Sequence, residues 1–194
     1  MINKPSNWDE VAENEVVENI SIKIGAYPCQ IKEVIDHPEK EYFEVRFDIV
    51  SEDPDLNNYF LKLKESLGME ADVWPNQGIY RVSYKESATR FFKAFITAVQ
   101  KSNQGYVWNW NIQTLKGKYM IANYGEEEYE DQEGDIKISV KVREIRSIEA
   151  WRAGEVKELP LKKLKVVKKE TNNPFANLTP EAVKEQISDE DLPF

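Results

Sequence analysis

The most regular segment of the sequence is Tyr42-Phe43-Glu44-Val45-Arg46-Phe47-Asp48-Ile49-Val50. Apolar residues alternate there with polar or amphipathic ones, and this period of two is typical of a β-strand with one buried face. We therefore expect the apolar set to lie in a hydrophobic core and the intervening set to face solvent. The apolar set is Phe43, Val45, Phe47 and Ile49, and the intervening set is Tyr42, Glu44, Arg46 and Asp48.

Further strands are predicted on both sides of this segment. Residues 27–35 alternate in the same way, and the turn-forming run Asp36-His37-Pro38 separates them from it, so the two segments are expected to form a β-hairpin. The remaining predicted strands are residues 79–84, 116–124 and 136–145, with a short edge strand at about 19–24. Residues 59–67 fit a helix and a strand equally well, so this segment stays undecided.

The last predicted strand separates apolar from mainly basic residues. Its apolar face carries Ile136, Ile138, Val140 and Val142, and its other face carries Lys137, Ser139, Lys141 and Arg143. The acidic residues 125–134 before it are expected to form a solvated hairpin loop. A divalent-metal site is the alternative, but the run lacks the alternating ligands and the placed Gly of a calcium loop, so no metal site is predicted.

One helix is predicted from a clear apolar stripe, over about residues 85–101. The stripe consists of Ala88, Phe91, Phe92, Phe95, Ile96, Ala98 and Val99. Asn103 and Gly105 favour a helix end after it, while Ser83 and Glu86 match a capping box near its start. We expect the three Phe residues of the stripe to pack in the core rather than to stack on bases.

The predicted order of elements is two or three strands, one helix and two further strands. This order is typical of the OB-fold, a five-stranded Greek-key barrel. We therefore predict an all-β domain with one main helix over residues 25–168, preceded by an N-terminal extension over residues 1–24. Residues 169–194 are polar and are interrupted by Pro174 and Pro180, which indicates a disordered acidic tail.

Composition argues against several classes of function. The 194 residues contain one cysteine and one histidine, Cys29 and His37. Neither a His/Cys zinc site nor a Ser-His-Asp or Cys-His catalytic arrangement is therefore expected. No apolar run is long enough to cross a bilayer, and the N-terminus has no signal-peptide core. We predict a cytoplasmic protein that is not an enzyme, needs no cofactor and does not bind membranes.

The net charge of −9 is distributed unevenly along the chain. Residues 1–20 carry a net −4 and residues 170–194 a net −5, so the residues between them sum to zero. Within that middle part, residues 136–169 carry eleven basic and four acidic side chains. Because affinity for phosphate depends on the local field, this basic region is compatible with binding a polyanion despite the acidic total.

The chain ends in Asp189-Glu190-Asp191-Leu192-Pro193-Phe194. The last residue joins an aromatic ring to a free carboxylate, and the proline before it cannot continue a helix. Such an end can place its ring in an apolar pocket of a partner and its carboxylate on a basic rim, while the three acids add long-range attraction. An acidic solubility tail is the alternative, but a solvating tail has no reason to end in an exposed aromatic residue.

This ending resembles the acidic C-terminal tip of bacterial and phage single-stranded-DNA-binding proteins. Residues from about 25 to 151 also resemble a group of phage-encoded proteins of that class. The segments that carry this resemblance are residues 42–49, 84–85, 91–99, 115–118, 125–129 and 141–146. The resemblance implies an OB-fold protein that coats single-stranded DNA in phage replication, recombination or repair. It also implies that residues 189–194 recruit proteins of those processes, and it allows a homo-oligomer.

A sequence-tolerant binder of single strands uses Lys and Arg for phosphates and aromatic rings for base faces. The predicted phosphate contacts are Lys32, Arg46, Arg81, Lys85, Lys137, Lys141, Arg143 and Arg146. The predicted stacking residues are Tyr42, Tyr84, Trp108 and Trp110. In an extended chain Trp108 and Trp110 would share one face. Partial burial is an equally good explanation for each of these two tryptophans.

Other classes of function stay open at this point. An acidic DNA mimic that inhibits a DNA-processing protein would fit the isoelectric point of about 4.9, but it would not need the basic region. An adaptor whose OB-fold binds only protein is a further alternative. A carboxylate-dependent nuclease would need acids in a spaced motif beside a Lys, and the sequence has no such motif.

An acidic tail tethered near a basic cleft is expected to compete with DNA, because tethering raises its local concentration to the order of millimolar. Deleting residues 170–194 should therefore tighten the binding of oligo(dT), most strongly at low salt. Titrations of the full and truncated chains at several salt concentrations measure this effect. Equal affinity of the two chains at low salt would contradict it.

Overall fold

The computed structural model describes residues 22–164, and their main element is a five-stranded antiparallel sheet with the strand order β3-β2-β1-β4-β5. The strands are β1 (Gly25–His37), β2 (Tyr42–Ile49), β3 (Ile79–Ser83), β4 (Tyr119–Glu130) and β5 (Ile136–Arg146). The five main predicted strands are confirmed, with shifts at their ends. Residues 22–24, the described part of the predicted edge strand, do not join the sheet. The acidic tail and its tip lie outside the described residues.

Three helices connect or follow the strands, namely α1 (Tyr59–Ser66), α2 (Thr89–Ser102) and α3 (Ile148–Arg152). The segment that fitted both a helix and a strand is therefore the helix α1. α3 follows β5 directly and is capped by Ser147, whose Oγ accepts a hydrogen bond from the backbone N–H of Ala150 at 3.1 Å. Within residues 22–164, no helix is both long and apolar enough to cross a membrane.

The central strand β1 pairs along both of its edges. Residues 29–37 pair with β2, and residues 25–30 pair with β4. A register shift between Ile31 and Glu33 changes which residues face the core, so that Val34 is buried. The bulge thus lets one long strand serve two neighbours while keeping apolar side chains inside.

The two edges of the sheet approach each other at one point. Gln77 lies just before β3, and its Nε2 donates a hydrogen bond of 3.1 Å to the carbonyl oxygen of Val140 in β5. The hydroxyl of the buried Tyr124 in β4 donates to the carbonyl oxygen of Gln77 at 2.7 Å. The sheet is therefore curled, and the core lies on its concave side.

The apolar set of β2 lies in this core, as predicted. Phe43, Val45, Phe47 and Ile49 are fully buried. α2 covers them from one side, since Phe95 packs edge-on against Phe43 with ring centroids 6.0 Å apart. The intervening set of β2 does not all face solvent, and that prediction is wrong for Asp48 and Glu44, which are buried.

Asp48 is buried because it binds the start of α1. Its Oδ1 accepts hydrogen bonds from the backbone N–H groups of Ile49 at 2.8 Å and Phe60 at 2.9 Å, and its Oδ2 accepts from Leu61 at 2.9 Å. Asn58, the residue at the N-cap position, makes no side-chain capping bond. Burial raises the pKa of Asp48, while the three backbone N–H groups lower it. The carboxylate therefore replaces the missing cap from a neighbouring strand.

α2 begins later than predicted. A 3₁₀ turn over Glu86–Ala88 precedes it, and the capping box does not form, because the Ser83 hydroxyl instead accepts from the N–H of Lys85 at 3.3 Å. The prediction that all three Phe residues of the stripe pack in the core holds for Phe95 and is wrong for Phe91, which is 72% exposed. Phe91 lies in the first turn of α2, where the described residues leave it uncovered.

The β4–β5 hairpin is longer than predicted and projects beyond the rest of the sheet. Residues 126–130, expected in a loop, belong to β4, and β1 stops pairing with β4 at Tyr124. We call residues 125–130 of β4 with residues 136–141 of β5 the arm. On the arm, Ile136 and Ile138 are 60% and 56% exposed, so the prediction that they face the core is wrong.

The substitution Asp48→Ala leaves three backbone N–H groups without their acceptor. We expect it to lower the free energy of unfolding by about 2–4 kcal/mol, since each buried unsatisfied donor costs about 1–3 kcal/mol before relaxation. Asp48→Asn keeps one acceptor oxygen and should cost less. Urea unfolding of the full chain measures both losses, with Asp55→Ala in the exposed loop as the control. Equal stability of Asp48→Ala and the control would contradict the capping role.

Candidate nucleic-acid interface

The residues predicted to contact nucleic acid fall on three parts of the described structure. Lys32, Tyr42, Arg46 and Arg81 lie on the convex face of β1, β2 and β3. Tyr84, Lys85, Trp108 and Trp110 lie before and after α2. Lys137, Lys141, Arg143 and Arg146 lie on β5. The prediction treated them as one set, whereas the fold divides them into three groups with different surroundings.

On the convex face, Tyr42 is held between two neighbours. His37 lies opposite it on β1, and the two rings stack with centroids 4.7 Å apart. The guanidinium of Arg81 on β3 lies 5.9 Å from the centroid of the Tyr42 ring. Arg81 also contacts Glu44 at 3.6 Å, yet its side chain stays two-thirds exposed. Tyr42 and Arg81 thus form a small surface of one ring and one cation that a base and a phosphate could contact.

Arg46 lies on the predicted outer face, but its guanidinium is not free to contact a phosphate. Its Nη1 lies 2.9 Å from Glu33 Oε2, and its Nε lies 3.1 Å from Glu44 Oε1. Only 13% of its side chain is exposed. The two carboxylates neutralise this guanidinium and fix it across β1 and β2, so Arg46 holds the sheet together.

Lys32 lies beside the bulge of β1, and its Nζ donates to Gln30 Oε1 at 3.0 Å. It has no salt bridge to any described residue. The Gln30 amide reaches the hydroxyl of Tyr119 at 3.4 Å, and Tyr119 is partly exposed. Tyr119 and His37 are therefore convex-face aromatic residues that were not predicted as contacts, although Tyr119 lay in a predicted strand and His37 in a predicted turn.

An aromatic cluster lies at the start of α2. Phe92, Trp108 and Trp110 contact each other in all three pairs, with ring centroids 6.2 Å apart in each. The two tryptophans are neighbours as predicted, but the chain between them is not extended, since Trp110 has a φ of 64°. Trp110 is 80% exposed, whereas Trp108 is partly buried, with its indole N–H buried and unpaired among the described residues. Trp110 thus presents its ring to solvent on a support of two other rings.

Tyr84 and Lys85 follow β3 and differ in their surroundings. The Tyr84 ring stacks on the core residue Phe43 at 6.4 Å, and its hydroxyl donates to Asp36 Oδ1 at 3.2 Å. Tyr84 is therefore held in place by the end of the core. Lys85 is exposed and forms no salt bridge within residues 22–164.

On the arm, two lysines share a face with one tyrosine. Lys137 pairs with Asp131, and this contact holds the pKa of the Asp131 carboxyl below its usual range. The Lys141 ammonium lies 5.8 Å from the centroid of the Tyr129 ring and forms no salt bridge among the described residues, although its charge helps to lower the pKa of the Glu127 carboxyl. Asp131, Glu133 and Asp135 also bring carboxylate oxygens within 4.8 Å of one another in the turn between the strands. Lys141 is therefore the freer cation of the two.

The guanidinium of Arg143 is bound to backbone carbonyl oxygens and is not free. Its Nη1 donates to the carbonyl oxygens of Glu126, at 3.2 Å, and Pro160. It thereby holds residues 159–164 against β4, where Lys162 forms a parallel bridge with Glu127. The predicted phosphate contact at Arg143 is thus already occupied by backbone carbonyls.

Arg146 contributes to a groove that the sequence argument did not identify. A shallow groove of about 500 Å³ lies between α2, the end of β5 and α3. Four cations line it, namely Arg90, Lys93, Lys101 and Arg146, together with one acid, Glu155. Of these cations only Lys101 has a salt bridge among the described residues, to Glu149 at 4.0 Å. The α2 cations Arg90, Lys93 and Lys101 are three and eight residues apart in the sequence. They were not predicted as contacts, because only the apolar stripe of this helix was used.

The described residues thus supply exposed rings and cations without salt bridges, the groups that can contact base faces and phosphates. Burial raises the pKa of the Cys29 thiol. The predicted partner-binding residues 189–194 lie outside this description. In comparisons with known proteins, no family model and no curated protein matches the sequence.

Proposed function

We propose that this chain binds single-stranded DNA without sequence preference and without catalysing a reaction. The observation that carries the proposal is that α2 and the segment after it carry both exposed rings, Phe91 and Trp110, and cations without a salt bridge among the described residues, Arg90 and Lys93. Arg90 and Lys93 line the groove between α2 and α3, whereas Trp110 packs on Phe92, which contacts the core from another side of α2. Exposed rings of this size are unfavourable in water, whereas bases can stack on them while cations hold the phosphates.

We further propose that the curled sheet is an OB-fold barrel. Three strands, the helix α2 and two strands follow each other in the order expected for that fold. The bond between Gln77 and Val140 brings the edges β3 and β5 together, as a partly open barrel requires. α1 is an insertion between β2 and β3 in this scheme. A barrel of this kind uses a curved face and its connecting loops to bind oligonucleotides.

Two other surfaces support the same function more weakly. The convex face offers Tyr42 and Arg81, but Glu33 and Glu44 neutralise part of its charge. The arm offers Lys141 beside Tyr129. We therefore assign the main stacking contact to the cluster around Trp110 and assign additional phosphate contacts to Lys32, Arg81 and Lys141.

The proposal includes a role for the C-terminal tip and competes with two alternatives. Residues 189–194 would recruit proteins of phage replication or recombination to the coated strand, through a ring and carboxylate that fit a basic-rimmed apolar pocket. A DNA mimic or a protein adaptor would keep the acidic ends but would leave tryptophan emission unchanged on addition of oligo(dT). One fluorescence titration therefore separates the leading function from both alternatives.

Replacing Trp110 by Ala should weaken oligo(dT) binding by about 1–3 kcal/mol, because one stacked base loses its platform. Phe91→Ala should also weaken the binding of oligo(dT). The matched control is Trp151→Ala on α3, which removes a partly exposed tryptophan far along the chain from the cluster. Fluorescence anisotropy of labelled oligo(dT) measures all three variants. Equal losses in Trp110→Ala and Trp151→Ala would contradict the assignment of the stacking site.

The phosphate contacts at α2 have a separate test. The double variant Arg90→Ala with Lys93→Ala should reduce the slope of log affinity against log salt by about 1.4, since each phosphate contact to a single strand contributes about 0.7. Lys62→Ala with Lys64→Ala on α1 removes two cations elsewhere and should leave the slope nearly unchanged. A wild-type protein that ignores oligo(dT) at modest salt, with or without residues 170–194, would overturn the proposed function itself.

A further inference from the structure

The arm has backbone groups at its outer edge that pair with nothing in the described chain. The bond from Gln77 shows that the carbonyl of Val140 points away from β4. In an antiparallel pair, residues two apart direct their N–H and C=O groups to the same edge. Ile138 and Ile136 therefore present both groups to the free edge of β5.

Contacts on the other strand of the arm give the same result independently. The N–H of Lys162 donates to the carbonyl of Glu126 at 3.0 Å, and the N–H of Glu128 donates to the carbonyl of Lys162 at 2.9 Å. Glu126 and Glu128 thus face away from β5, and they are the residues opposite Val140 and Ile138. Residues directly opposite each other share one hydrogen-bonding phase, so Ile138 also faces away from its partner strand.

The side chains at this edge are apolar as well as exposed. Ile136 and Ile138 lie on one face of β5, more than half of each is accessible, and Lys137 and Lys141 lie on the opposite face. A strand edge with free backbone groups and large apolar side chains is a template for pairing with another strand. The arm therefore has the properties of an interaction surface for an extended segment.

We propose that the β5 edges of two copies of this chain pair antiparallel across a two-fold axis at Ile138, so that the protein forms a homodimer. In this register Ile138 lies opposite Ile138 of the second copy, and Ile136 lies opposite Val140 of the second copy. Lys137 then faces a serine, Ser139, and Lys141 faces an acid, Asp135. The carbonyl of Val140 exchanges its bond from the Gln77 side chain for one across the new interface, while the Tyr124 hydroxyl keeps its bond to the Gln77 carbonyl and holds the turn before β3 against β4.

The charges on β5 select this register over its neighbours. An axis at Lys137 would place the two copies of that lysine opposite each other, and an axis at Ser139 would place Lys137 opposite Lys141. Like charges directly opposite destabilise a strand pair, whereas opposite charges stabilise it. An axis at Ile136 would bring Ile138 opposite Gly134, whose φ of 89° lies in the turn and ends the ladder. The axis at Ile138 is free of both problems.

The pairing joins the two arms into one four-stranded sheet. Lys137, Lys141 and Tyr129 of both copies then lie on one face of that sheet, with Lys137 paired with Asp131 of its own copy and Lys141 with Asp135 of the other. The contact involves only about seven residues of each copy and falls in the range of small interfaces, so the fraction of dimer depends on protein concentration. This inference does not require the proposed function, because the pairing involves no nucleic acid.

Sedimentation velocity of the full chain without nucleic acid tests the proposal over a concentration series. The wild type should change from monomer to dimer as its concentration rises. Ile138→Pro should raise the dissociation constant by about tenfold or more, since it removes the central inter-copy bonds. It removes no bond to β4, because the N–H of residue 138 faces the free edge. Ile138→Val keeps the N–H and should dimerise like the wild type.

A charge exchange provides a second test that does not depend on proline. Asp135→Lys should weaken the dimer, and combining it with Lys141→Asp should restore it, because the pair across the interface is then reversed. Circular dichroism verifies that each variant is folded. A wild type that stays monomeric at every concentration would overturn the proposal. A dimer that ignores both Ile138→Pro and Asp135→Lys would also overturn it, since another surface would then be responsible.

Discussion

The arrangement of this domain depends on how far β1 extends along each of its neighbours. It pairs with β2 over residues 29–37 and with β4 over residues 25–30, so only two of its residues serve both strands. Because β4 continues to Glu130 while β1 begins at Gly25, the end of the β4–β5 hairpin has no strand beside it from the body of the sheet. The arm, its exposed isoleucines and its free edge all follow from this difference in strand length.

The short pairing of β1 with β4 also decides which basic side chains of β5 remain exposed. Near the body of the sheet, the edge of β4 that β1 leaves open is filled by residues 159–164, and Arg143 is used to hold them. Farther out on the arm, Lys141 forms no salt bridge among the described residues, although its charge helps to lower the pKa of the Glu127 carboxyl. Arg143 and Lys141 lie two positions apart on β5, and they differ in their contacts because their neighbours differ.

The sequence predicted the strands and α2 well because both depend on local periodicity. It could not predict which faces would be covered. Alternation in β2 shows that its two faces differ, but the start of α1 covers the polar face near Asp48, and no local pattern contains that contact. Helical spacing likewise placed Phe91 on the stripe of Phe95, although the core does not extend to the first turn of α2. Periodicity shows on which face of a strand or helix a side chain lies. Whether that face is buried depends on segments that are distant in the sequence.

At the candidate site, too, local sequence predicted some exposed side chains but not those that a neighbouring strand covers. Residue type and strand position correctly suggested exposed chains at Arg81, Lys141 and Trp110. They failed at Arg46, whose partner Glu33 lies on the neighbouring strand. A count of basic residues therefore overstates the charge that a phosphate would meet, because acids or carbonyls already occupy several of them. The DNA binding that we propose should consequently depend more on ring stacking, which salt hardly screens, than the 26 basic side chains of the chain alone would suggest.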